Sequence, residues 1–160
     1  GAAESSLNQI SPHDSIRFAL FEYMIGNLDW DMIQGPPGDT CCHNSRLIAV
    51  HGVTTDVVPV PYDFDYSGFV DAPYAVPPVQ TPIGSVRVRY YRGSCRFNSE
   101  VDTVVQEFRA HRADLLNVVN SETRLEDHSR TKAARYLGDF FTMLDDPSRV
   151  ASQLTGHCRG

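Results

Sequence analysis

The sequence predicts an α+β domain that is mainly α, with one small β-hairpin, and three observations carry that expectation. A helix-opening signal stands at Ser11-Pro12-His13-Asp14, two short apolar runs separated by turn-forming residues follow it, and the C-terminal half repeats apolar residues at helical spacing. With 160 residues, 41% of them hydrophobic and 21% charged, the chain has the size and composition of one globular domain.

Residues 1–10 read as a tag remnant or linker and residues 11–160 as a single domain. Ser11 supplies the N-cap, Pro12 the first helical position and Asp14 the acid that closes a capping box, and Ile16, Ala19, Leu20 and Tyr23 continue at helical spacing. The expected helix spans about residues 12–25, and Gly26 stops it, so that Asn27-Leu28-Asp29-Trp30 begins a loop. Residues 35–39, Gly-Pro-Pro-Gly-Asp, exclude helix and interior strand. Residues 47–50 and 57–62 read as the hairpin, with Pro59 and Pro61 confining the second strand to an edge and Asp63-Phe64-Asp65 leaving it. Residues 67–82 form an extended loop pinned by the rings of Tyr66, Phe69 and Tyr74.

Beyond that loop, Ser99 and Asp102 read as a second capping box, with Val101, Val104, Val105, Phe108, Leu115, Leu116 and Val119 on one helical stripe. Ala133, Tyr136, Leu137, Phe140, Phe141 and Leu144 make the stripe of the next helix. A last short helix opens at Asp146-Pro147 and ends near Gly156.

A net charge of -6 argues against nucleic acid as a partner, because a phosphate polymer repels such a surface. No apolar run approaches the roughly 18 to 20 residues needed to span a bilayer, so a soluble chain without a membrane span is expected. Four cysteines, Cys41, Cys42, Cys95 and Cys158, suit an oxidising compartment, hence a periplasmic or extracellular location. A Cys95 to Cys158 disulfide would staple the start of the helical region to the chain end, whereas Cys41 and Cys42 are expected not to bond each other across one peptide. The alternative is four buried thiols.

The candidate chemistry lies on loops: Asp29 after a helix, Asn44 before a strand, Asp63 and Asp65 after a strand. Phosphoryl transfer needs a carboxylate to take or orient the acceptor proton, and an Asn and an Asp to hold magnesium against nucleotide phosphates. Such hard oxygen ligands suit Mg or Mn.

The order of these residues, Gly26-Asn27-Leu28-Asp29-Trp30, then His43-Asn44, then Val60-Pro61-Tyr62-Asp63-Phe64-Asp65, resembles the catalytic core of the atypical protein-kinase-like families. These include the spore-coat protein kinases, the secretory kinases of the Golgi casein kinase type and the persister-toxin kinases. The resemblance covers roughly residues 12 to 70 and implies a kinase C-lobe-like fold whose hairpin carries the metal-binding loop. It implies Asp29 as the catalytic carboxylate, Asn27 as the residue that stabilises its loop, and Asn44, Asp63 and Asp65 as metal ligands. Asp65 stands where ordinary protein kinases have glycine, which leaves open which Asp is the main ligand. The implied cofactors are Mg or Mn with ATP, and the implied partners are a nucleotide, a hydroxyl-bearing acceptor and an N-terminal lobe missing from this chain. Neither a glycine-rich phosphate loop nor a strand lysine paired with a helix glutamate is present, so the chain alone is expected to show little or no turnover.

Arg87, Arg89 and Arg92, with Arg96, cluster around Tyr90-Tyr91 as candidate receptors for a phosphorylated or acidic substrate, the plainer reading being a solvated basic face paired with acids. Two other readings stand beside the kinase. One is a pseudokinase or protein-interaction domain that keeps the fold without catalysis. The other is a zinc-stabilised structural domain using Cys41, Cys42 and His43 with His157 and Cys158, whose adjacent ligands fit a tetrahedral site poorly.

Overall fold

The computed structural model describes residues 6–160. Helix α1, Pro12–Ile25, begins where the Ser11 hydroxyl accepts the Asp14 amide, and it ends at Gly26 in the left-handed conformation at φ 69°. Only glycine suits that position, because a Cβ there would be strained and would also run into the Tyr136 hydroxyl. Ile16, Phe18, Leu20, Tyr23 and Met24 are all buried, so α1 is covered on nearly every side and forms the axis of the domain.

Strands β1 (Ser45–Ile48) and β2 (Val58–Pro61) pair antiparallel, with Ser45 opposite Pro61 and Ile48 opposite Val58. The sheet has these two strands among the described residues, and β2 packs against α1. The long loop that follows is tied back to α1, since the amides of Gly68 and Phe69 donate to the carbonyls of Gly26 and Ile25 at 3.0 and 2.9 Å. Tyr66 and Tyr74 meet edge to face within it.

The helical half comprises α2 (Val101–Ala110), α3 (Arg112–Asn120), α4 (Asp127–Leu144) and α5 (Pro147–Gln153). Val101, Val104, Val105 and Phe108 of α2 join Leu137, Phe140, Phe141 and Leu144 of α4 in one core with α1. Burying each such side chain is worth about 1.5 to 3 kcal/mol, which is what holds the helices against α1. Asp146 caps α5 through the amides of Ser148 and Arg149, with Pro147 at the first position as expected. No helix of the described residues is long and apolar enough to cross a membrane.

Four expectations need correction. Residues 7–10 are not linker: Leu7–Gln9 make a 3-10 turn capped by Ser6, and Ile10 is buried against Val57, whose amide donates to the Gln9 carbonyl at 2.9 Å. The tag reading of residues 1–5 lies outside the described residues. Ser99 does not cap α2. A 3-10 turn over Cys95–Glu100, capped by Ser94, precedes that helix, and Glu100 at its start makes no side-chain cap. The stripe read from Val101 to Val119 is divided between two helices, because His111 leaves helical geometry at φ -97°, ψ 8°. Cys41 and Cys42 are bonded to each other after all, across a cis peptide that brings their Cα atoms to 3.0 Å.

The expected Cys95–Cys158 disulfide is present, with Cα atoms 5.0 Å apart. Beside it the Cys95 amide donates to the Arg159 carbonyl at 2.9 Å and the Arg159 amide to Gly93 at 2.8 Å. The chain end is thereby fixed against the start of the helical region.

Candidate functional site

The segment that leaves α1 is held in place atom by atom. The Asn27 amide still bonds the Glu22 carbonyl at 2.9 Å, which keeps Asn27 buried under the helix end. Asn27 Oδ1 accepts the Asp29 amide at 3.1 Å, an Asx-type turn, and the Asn27 carbonyl accepts Trp30 Nε1 at 3.1 Å. From the other side Arg92 Nη1 donates to the carbonyls of Leu28 and Trp30 at 2.7 and 2.8 Å, and its guanidinium lies over the Trp30 ring. Asn27 and Arg92 between them fix the loop backbone on both flanks of Asp29.

The Asp29 carboxylate is half-exposed and has two partners. His43 Nε2 lies 2.7 Å from Oδ1, and Asn44 Nδ2 donates to Oδ2 at 3.0 Å and to the Asp29 carbonyl at 2.7 Å. Both partners arrive through one short backbone pairing, in which Asp31 and His43 exchange amide and carbonyl at 2.9 Å. Asn44 adopts φ 48°, a left-handed conformation that Asn tolerates better than most residues. Sequences 15 residues apart therefore meet because the loop of residues 32–42 folds back on itself.

Asp63 and Asp65 sit on the next turn. The Tyr62 amide donates to the Asn44 carbonyl at 3.0 Å, so Asp63 follows the residue paired with Asn44, and it too has positive φ, 62°. Phe64 points inward and meets Phe21 edge to face at 5.7 Å. Asp65 Oδ2 accepts the Tyr74 hydroxyl at 3.0 Å, and that bond above all raises the Tyr74 pKa. Asp29, Asn27 and Asn44 are thus in direct contact, whereas among the described residues no hydrogen bond joins Asp63 or Asp65 to them. Nor do any three His, Cys, Asp or Glu side chains of the described residues group as ready metal ligands.

The arginines differ from their expected role. Arg89 donates to the carbonyls of Met24 and Tyr136 and stacks 3.8 Å from the Tyr136 ring centroid, and Arg87 donates to the Gly68 carbonyl over the same ring. Arg87 and Arg89 therefore brace the C-terminal end of α1 from inside, and an external ligand does not meet the bonded nitrogens. The cysteines are also otherwise engaged. All four are in disulfides, which removes the thiolates that a zinc site would use.

Glu22 was not legible as part of the site. It lies one turn before Gly26 with no exposed surface, and neither of its carboxyl oxygens nor Asn27 Nδ2 completes a hydrogen bond. Burial pushes its pKa up to about 8, with the adjacent Asn27 amide and the Arg92 charge pulling the other way. An acidic residue inside the otherwise apolar run of residues 18–25 was the available signal. His43 was visible only as a possible zinc ligand, and its bond to Asp29 depends on the loop fold.

Asp29 and His43 open onto a cleft of about 720 Å³ that is also lined by Tyr90, Arg92, His157 and Arg159. Comparison of the chain with protein-family models, with curated proteins and with solved structures finds no match.

Proposed function

We propose that this domain is the acceptor-side and metal-side lobe of a magnesium-dependent phosphotransferase that moves the γ-phosphoryl group of ATP to a hydroxyl. The observation that carries the reading is the Asp29, Asn44 pair. Asn44 directs its amide nitrogen at Asp29, which leaves its Oδ1 as an oxygen donor on the side away from that bond. Asp29 would accept or orient the acceptor proton, and its half-exposed position at the mouth of the cleft suits that task. Asn27 and Arg92 would act through the backbone, keeping Asp29 in place without reorganisation during the reaction.

The donor set suits magnesium, which keeps several waters and takes only one or two protein carboxylates together with substrate phosphates. Asn44, Asp63 and Asp65 would hold it. When bound, the ion would neutralise charge on the transferring phosphoryl group. Lys132, the sole lysine of the chain, is paired with Asp71 at 2.6 Å. The groups that grip the nucleotide phosphates would therefore come from a further lobe, and the two disulfides favour a periplasmic or extracellular setting.

The test is phosphotransfer from labelled ATP by the polypeptide that carries this domain with such a lobe. Asp29→Asn is expected to lower the rate at least 100-fold while Mg-ATP binding stays within about 3-fold, as for loss of a general base. Equal loss of both would assign Asp29 to metal binding instead. A non-catalytic binding domain is the second reading, favoured by the lack of a grouped metal-ligand set among the described residues. Absence of Mg-dependent nucleotide binding in the same polypeptide would select it.

A further inference from the structure

We propose that the 720 Å³ cleft takes an anionic acceptor, with Arg159 and Arg92 holding a carboxylate or phosphate group of that molecule beside the hydroxyl that faces Asp29. The hydroxyl's assignment rests on the phosphotransfer reading, whereas the anion site stands on its own observations. Two guanidinium groups border one polar cleft, and Arg159 is near enough to Arg92 to add to the lowering of its pKa that burial begins. Like charges held together are stabilised by an anion between them.

Each arginine keeps donors free for such an anion. Among the described residues, only Nη1 of Arg92 donates to protein, on the Leu28 and Trp30 carbonyls. Arg159 is 64% exposed at its side chain, and its one ion pair, with Asp31, is loose at 3.9 Å. Asp31 is meanwhile occupied through its other oxygen, which accepts the amides of Ile33 and Gln34 at 2.8 and 2.9 Å. The backbone beneath Arg159 is by contrast immobilised, by its two hydrogen bonds to Gly93 and Cys95 and by the disulfide at the preceding residue. His157, on the other side of that disulfide, packs edge-on against Tyr90, 4.7 Å between ring centroids, and completes the same wall. A fixed backbone carrying a loosely paired guanidinium suits a recognition residue, because the backbone has little further conformational entropy to lose when the side chain binds.

The only tryptophan, Trp30, borders the cleft under Arg92, so its fluorescence reports occupancy directly. Three probes are titrated into the protein: inorganic phosphate, a short peptide of serine and aspartate, and a peptide of equal length made of serine and asparagine. The expected result is saturable change with phosphate or the acidic peptide and at least about 10-fold weaker binding of the neutral one, the size of one charge-assisted hydrogen bond. Arg159→Gln should weaken anion binding about 10-fold, and Arg135→Gln, the same charge change on the exposed face of α4, should not. Binding of phosphate but not peptide would identify a phosphorylated small acceptor, and the reverse a carboxylate-rich segment. Equal binding of the neutral peptide, or anion binding indifferent to Arg159→Gln, overturns the proposal. Anion binding in a polypeptide that transfers no phosphoryl group would leave the cleft assignment standing and remove the phosphotransfer reading. Transfer to anionic acceptors untouched by Arg159→Gln would do the opposite.

Discussion

The two sides of the candidate site are built differently. Asp29 stands on a loop fixed by Asn27 below, Arg92 beside it and His43 with Asn44 above. Asp63 and Asp65 stand on a turn at the end of an edge strand, where Phe64 is anchored on Phe21 and the one side-chain bond of the pair goes to the exposed Tyr74. The first arrangement is fixed before any ligand arrives. The second holds its carboxylates with fewer contacts. Under the phosphotransfer proposal a base at Asp29 would need placing to a fraction of an ångström, while ligands at Asp63 and Asp65 would be drawn in by the cation they neutralise.

The largest effect that sharpens this contrast concerns the frame on which the rigid side rests. Replacing both Cys95 and Cys158 by Ala opens a loop of 63 residues, and is expected to cost about 4 kcal/mol in urea unfolding on the loop-entropy model. A loss below about 1 kcal/mol would mean that the helical core alone holds the chain end.

Arg92→Met comes next, because it strips donors from two carbonyls while keeping bulk over Trp30. It should destabilise the fold by about 2 to 3 kcal/mol, against less than about 0.5 kcal/mol for Asp65→Asn on the exposed side. Similar losses at both positions, measured by denaturant midpoint, would erase the distinction between fixed and adaptable sides.

Glu22 supplies a pH test of the same rigid loop. Its folded pKa lies near 8 and its ordinary value is 4.5, so between these limits the folded chain holds a proton that the unfolded chain has lost. Stability must therefore fall as pH rises through that window, by up to about 1.4 kcal/mol per pH unit. Glu22→Gln removes the titration, and the difference in stability between variant and wild type should grow from pH 5 to pH 8. Parallel curves would show that the carboxyl is ionised or hydrated in the folded state.

The smallest expected effect is at Tyr74. Loss of its bond to Asp65 in Tyr74→Phe should change stability by no more than about 0.5 kcal/mol, since the pair is exposed. A larger loss would mean that the turn carrying Asp63 is held as firmly as the loop carrying Asp29.

Local chemistry made much of the fold readable in advance. The Ser11 cap, Pro12 and the left-handed Gly26 bound α1 because each acts on neighbouring backbone groups. Asp146 and Pro147 did the same for α5, and the alternating hairpin with its two prolines marked an edge strand. The 63-residue disulfide was legible too, from cysteines flanking the helical half. Ser99 misled because its spacing to Asp102 satisfies the capping pattern, whereas in the fold Ser94 accepts the Arg96 amide and opens a 3-10 turn that contains Ser99.

The sequence by itself determined where α1 ends, where α1 and α5 begin, and which loop residues carry side-chain oxygens, because those properties belong to segments a few residues long. Tertiary structure alone decided what those residues face. Arg87 and Arg89 have the composition of a receptor for anions, yet Arg89 donates to carbonyls of α1 and α4, 65 and 47 residues away, and Arg87 to the carbonyl of Gly68 in the loop. Arg159 had no distinguishing pattern at all, and it borders the cleft because the disulfide carries it there. The upward pull on the Glu22 pKa has the same origin, since the desolvation that raises it comes from side chains that only the folded core brings around α1.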